Sequence, residues 1–175
     1  MRLPLFALIL IAASPASALD LPQRKPGLWD LSMAFENRNL PSQTIQHCTD
    51  AETDKLMNSV GGSMGPERCS KQDVQKAGNT LVIDSVCQVG GATVTSHAVI
   101  SGDFNSAYTV KVSSKREGAP APGMPANGAT NMTIEAKWTG ACKADQKPGD
   151  IILPGGRKIN IRDMQNLMQR LPGKK

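Results

Sequence analysis

The stretch TLVIDSVCQVGGATVTSHAVISGDFNSAYTVKVSSK, Thr80–Lys115, alternates apolar and polar residues through three runs separated by two turn signals. Side chains along a strand point to opposite faces with a period of two. Leu81, Ile83 and Cys87 therefore share a face; so do Val94, Ala98 and Ile100, and so do Tyr108, Val110 and Val112. A two-residue loop at Gly90-Gly91, where both positions favour φ > 0, sets Leu81 opposite Ile100, Ile83 opposite Ala98 and Asp84 opposite His97. The turn Gly102-Asp103-Phe104-Asn105-Ser106 then sets Ile100 against Tyr108, Ala98 against Val110 and His97 against Lys111. Both turns keep the apolar set on one side, which a slip of one residue would undo. The stretch reads as an antiparallel meander with one apolar face.

Upstream, Pro26-Gly27 introduces a strand over Leu28 to Glu36, in which Trp29, Leu31, Met33 and Phe35 alternate with Asp30, Ser32 and Ala34. A weaker run covers Gln43 to Cys48. Thr49 followed by Glu52 has the spacing of a capping box, which predicts a short helix ending near Gly61-Gly62 with Leu56, Met57 and Val60 buried. Downstream, Gly118 to Asn127 is rich in Pro, Ala and Gly and reads as an exposed linker loop. Met132 to Trp138 is a strand with Met132, Ile134, Ala136 and Trp138 on one face. Turn residues Lys147-Pro148-Gly149 and Pro154-Gly155-Gly156 then flank Ile151-Ile152-Leu153. A last helix starts at Asp163 as N-cap, and its stripe Met164, Leu167, Met168, Leu171 is expected to pack on the sheet before Pro172-Gly173 ends it. The expected fold is mainly β: a curled antiparallel meander of about seven strands, open or partly closed as a barrel, with one short internal helix and a C-terminal helix. If it curls round, Trp29 and Trp138 meet.

A chain of 175 residues suits one domain with a real core, expected over residues 19–175. Met1 to Ala18 has the features of a cleaved secretory signal peptide: Arg2, an apolar run from Leu3 to Ala13, and Ala16-Ser17-Ala18 as the small-residue cleavage site. That run is well short of the roughly 20 residues of a spanning helix, and no later stretch is long and apolar enough, so no transmembrane segment is expected after cleavage. Export implies a periplasmic location.

The formal net charge is +5, or +4 once Arg2 is removed. From Lys137 to Lys175 nine Lys or Arg face three Asp, whereas Leu19 to Ala136 carries ten basic and twelve acidic residues. A basic C-terminal segment can attract an envelope protein or an anionic envelope component. No aromatic residue interleaves with the cations after Trp138, which argues against nucleic acid.

Cys48, Cys69, Cys87 and Cys142 all lie in the mature chain, where an oxidising compartment implies two disulfides. No C-x-x-C pair supports a metal site. With a three-residue loop at Ala77-Gly78-Asn79, Cys69 lies opposite Cys87, yet Val74 then faces Val82, off the apolar face. A two-residue loop restores Val74 to Ile83 and moves Cys69 to the diagonal. A bulge satisfies both. The expected pairs are Cys69 with Cys87 and, by elimination, Cys48 with Cys142.

The landmarks together resemble the exported proteobacterial family known as domain of unknown function 3617. They are Pro26-Gly27-Leu28-Trp29-Asp30, Cys48-Thr49, Gly78-Asn79-Thr80, Cys87, Gly102-Asp103-Phe104 with Tyr108, Met132-Thr133, Trp138, and Gly140 with Cys142. The resemblance implies a periplasmic protein of undefined activity, and it brings no catalytic residues with it.

Chemistry is sparse. Asp84, His97 and Lys111 form a polar row in the expected register, in which an Asp-His pair could orient an imidazole for acid-base work; as an ordinary cross-strand charge row it needs no function. Thr95 is an undistinguished nucleophile. His47 neighbours Cys48, but a cysteine tied in a disulfide is neither nucleophile nor ligand. Gly61-Gly62-Ser63-Met64-Gly65 lacks the Lys-Ser/Thr of a phosphate loop. No catalytic, cofactor or metal residues are expected. A binding or interaction module of the cell envelope is the first functional expectation, a carrier of a small apolar ligand the second, and a hydrolase-type enzyme using the Asp84, His97 and Lys111 row the third.

Overall fold

A computed structural model describes residues 21–36, 41–61, 69–118 and 127–170. The expected signal peptide, residues 62–65 of the glycine-rich loop, most of the proline-rich loop and Leu171 lie outside the described residues, as do the side chains of Val60 and Met168. Nine strands and two helices follow one another: β1 (Gly27–Phe35), β2 (Gln43–Thr49), α1 (Ala51–Gly61), β3 (Cys69–Ala77), β4 (Thr80–Val89), β5 (Ala92–Asp103), β6 (Ala107–Gly118), β7 (Gly128–Gly140), β8 (Asp150–Ile152), β9 (Lys158–Asn160) and α2 (Ile161–Arg170). All strands join one antiparallel sheet, in the order β3-β4-β5-β6-β7-β1-β2-β8-β9.

The class is the expected one, but the described residues form nine strands rather than about seven. The additions are β8 and β9, three residues each, too short to show a period. The sheet is not closed into a barrel. Trp29 and Trp138 are neighbours all the same, because β1 inserts beside β7 and carries β2, β8 and β9 beyond it.

The meander keeps its parity. Leu81 faces Ile100, Ile83 faces Ala98 and Asp84 faces His97 across the Gly90-Gly91 turn, where φ is 58° and 79° as a tight hairpin requires. Between β5 and β6 the register differs from expectation by two residues: Ile100 meets Val110 and Ala98 meets Val112. Gly102 and Asp103 remain in the ladder, opposite Tyr108 and Ala107, leaving only Phe104, Asn105 and Ser106 to turn. The Asp103 carboxylate fastens that turn, accepting from the Asn105 N–H at 2.9 Å and the Ser106 hydroxyl at 2.8 Å. A shift of two equals one strand period, so every side chain keeps its face.

The β3–β4 hairpin meets both demands made of it. The turn is two-residue, with Ala77 paired to Thr80 and Val74 to Ile83, while an irregularity between Cys69 and Lys71 brings Cys69 opposite Cys87. Disulfides join Cys69 to Cys87 and Cys48 to Cys142.

A buried core cluster lies where β1 enters the sheet: Trp29, Leu31 and Ala136 are buried, with Ile45, Tyr108, Ile134 and Trp138 against them. Two helix readings are corrected. α1 is capped by Asp50, whose carboxylate accepts from the Thr53 N–H at 2.8 Å while the Thr53 hydroxyl accepts from the Asp50 N–H at 3.0 Å, so the box lies one residue beyond Thr49 and Glu52. Its buried side is Thr53, Asp54 and Met57. α2 starts from Asn160, whose side chain accepts from the Arg162 N–H, not from Asp163. It packs on α1 and β9 rather than across the sheet, and Leu167 stays 62% exposed.

Candidate functional site

Two polar clusters stand out, one on each face of the sheet. On the face opposite the apolar one, ladder register sets Asp84 of β4, His97 of β5, Ser113 of β6 and Asn131 of β7 in one cross-strand row. His97 Nδ1 lies 2.8 Å from Asp84 Oδ1. A carboxylate only accepts, so in this pair Nδ1–H is the donor. The Ser113 hydroxyl donates to Asn131 Oδ1 at 3.0 Å. These four residues, with Lys115 and Asn127, line a hollow of about 800 Å³.

Lys111 does not belong to this row. The two-residue shift places it opposite Val99 and Thr133; the neighbour that His97 gains instead is Ser113. Thr95 lies on the same wall. Asp, His and Ser are thus in line, yet the serine proton is engaged by Asn131 and the pair is open to water, with the His97 and Asp84 side chains 53% and 42% exposed. The arrangement offers alternating donors and acceptors more than an activated nucleophile.

The second cluster escaped the sequence reading. Arg24, six residues past the expected cleavage point, sits between α1 and the apolar face. Its Nε meets Asp54 Oδ1 at 2.6 Å and its backbone N–H donates to Asp54 Oδ2 at 2.9 Å; the side chains are 5% and 0% exposed. The guanidinium also reaches His47 Nδ1 at 3.4 Å and lies over the Trp29 ring. Burial, then the Arg24 charge, holds the His47 imidazole down to about 3. Burial raises the Tyr108 phenol, with Asp54 adding to the effect and Arg24 opposing it. The available signal was Asp54 itself, a charge three residues before Met57 on the side of α1 that must be buried.

Neighbouring main-chain contacts fix this N-terminal strap. Lys25 N–H donates to the Phe104 carbonyl, Trp29 Nε1 to the Lys25 carbonyl and Trp138 Nε1 to the Pro26 carbonyl. The Lys25 ammonium lies 3.7 Å from the Trp138 ring centroid. These contacts explain why Pro26-Gly27-Leu28-Trp29, Phe104, Tyr108 and Trp138 belong together. Among the described residues no three His, Cys, Asp or Glu side chains gather as a metal would need, and no helix is long and apolar enough to cross a membrane.

The fold and both clusters define an open antiparallel sheet protein stapled by two disulfides. Residues 24–142 match the family described as protein of unknown function (DUF3617), and the chain belongs to that family. The match begins at Arg24 and ends at Cys142, the ends of the strap and of the longer disulfide. No curated protein and no solved structure matches the chain.

Proposed function

We propose that this protein is an exported, periplasmic binding or interaction module of the cell envelope, which meets its partner through the polar hollow around Asp84, His97, Ser113 and Asn131. The observation that carries this reading is a pair of cross-strand hydrogen bonds, His97 to Asp84 and Ser113 to Asn131, among the residues lining a hollow of about 800 Å³, a volume within the usual range of ligand sites. Two disulfides suit an oxidising compartment. The basic segment from Lys137 onward adds attraction to anionic envelope components.

A non-catalytic role fits the wetness of the site and the engagement of the Ser113 proton. The hydrolase reading draws on the alignment of Asp84, His97 and Ser113, with Ser113 rather than Lys111 beside His97.

The test is chemical crosslinking in the native envelope followed by capture of the tagged, mature protein. A partner captured by the parent and lost in both His97→Ala and Asn131→Ala supports recognition at the hollow. Equal capture by the variants sinks it. Turnover of an ester or amide substrate that disappears in His97→Ala and Ser113→Ala alike would replace it with the hydrolase.

A further inference from the structure

β3 is an outermost strand of the sheet, nine residues long and exposed at every residue after Cys69. At the other edge β9 has only three residues. A long unpaired edge is a template for another strand, and natural proteins usually blunt it. Here it carries the open end of an apolar row. Ladder register lines up Val74, Ile83, Ala98, Val112, Met132 and Phe35 across six strands on one face. Its last member, Val74, is 39% exposed.

The hairpin fixes which main-chain groups look outward. A two-residue turn makes its flanking pair, Ala77 and Thr80, exchange both hydrogen bonds. Alternation then points the N–H and C=O of Gln75 and Asp73 toward β4, and those of Lys76, Val74 and Gln72 away from the sheet. A second copy related by a two-fold axis normal to the sheet must pair residues of like parity to keep its apolar face on the same side. The register centred on Val74 sets Val74 against its own copy, Gln72 against Lys76 of the second copy, and Asp73 against Gln75 of the second copy. No like charges are directly opposed. A slip of two residues one way opposes Asp73 to Asp73; a slip the other way sets Val74 against an ammonium.

We propose that β3 is a homodimerisation edge, pairing antiparallel with β3 of a second copy in the register centred on Val74. The two apolar rows then run into one another, and each Val74 loses its exposure to the other. The dimer doubles the nine-stranded sheet to one continuous layer.

Sedimentation equilibrium on the mature, oxidised protein, from micromolar to near-millimolar concentration, tests this. The parent should shift to twice its mass. Val74→Pro removes only an outward N–H, which an edge strand tolerates, and should stay monomeric with unchanged far-ultraviolet circular dichroism. Gln72→Glu creates two ion pairs with Lys76 and should tighten the dimer by roughly five- to tenfold; Gln72→Lys should weaken it by a similar factor. These exposed edge substitutions keep the test usable should the proline variant fail to fold. A parent that remains monomeric throughout overturns the proposal. So does a dimer whose strength is the same in Gln72→Glu and Gln72→Lys.

Discussion

Arg24 and Asp54 place an ion pair where the sheet would otherwise bury aliphatic carbon, and the cost of breaking it exceeds the benefit of having it. Removing one partner strands the other charge away from water, at about 3–5 kcal/mol, whereas an apolar pair of similar volume can be neutral. Arg24→Met should therefore lose roughly that much in urea denaturation, and adding Asp54→Leu should restore most of it. His47 beside them gives an acid limb to stability. Its imidazole is held at about 3 in the folded chain, against about 6.5 unfolded, so below the unfolded value only the unfolded chain takes up the proton. Its contribution is whole above that value and declines as pH falls toward about 3, with a ceiling on the order of 5 kcal/mol. His47→Gln, which keeps an acceptor for Arg24, should flatten stability against pH across that window in chemical denaturation. Asp50 adds a smaller loss at lower pH, since the Thr53 N–H holds its carboxylate below the ordinary value.

At the scale of elements, the entry of β1 beside β7 depends on Gly27. Its φ is 131°, a region that L side chains avoid, and a Cβ there would run into Trp138 Nε1 at 2.6 Å and the Gly140 carbonyl oxygen. Trp138 Nε1 is the group that holds the Pro26 carbonyl of the strap. Gly27→Ala should cost about 1–3 kcal/mol, read as a lowered thermal midpoint, with Trp fluorescence shifting to the red as Trp29 loosens. Sequence period served the long strands well and the short elements badly. β4, β5 and β6 are 10 to 12 residues long, enough alternation to fix their faces. The caps of α1 and α2 were misplaced because Thr49 and Asp50, or Asn160 and Asp163, are all competent cap residues; side-chain hydrogen bonds formed only in the folded chain choose between them.

In the molecule as a whole, the two disulfides hold different spans. Cys48–Cys142 closes a separation of 94 residues and Cys69–Cys87 one of 18. Loop-closure entropy assigns them about 4.7 and about 3 kcal/mol. The paired Cys48→Ala and Cys142→Ala change should accordingly lower the denaturation midpoint more than Cys69→Ala with Cys87→Ala. The longer bridge also pins β2 to the segment beyond β7, with β1 between them, so its loss should expose Trp29 as well.

What the residues alone determined is the face of each strand, because parity survives any register error of two: Ile83, Ala98 and Val112 share a side whether Ala98 meets Val110 or Val112. They also determined the staple pairs, through the hairpin and its bulge. Only the tertiary structure decided that β1 pairs with β7, that Ser113 and not Lys111 stands beside His97, and that Arg24 is buried against Asp54. Each of these joins residues through loop lengths and long-range pairing, and the free energy that selects such contacts appears when the surfaces meet, not in the local pattern of either segment.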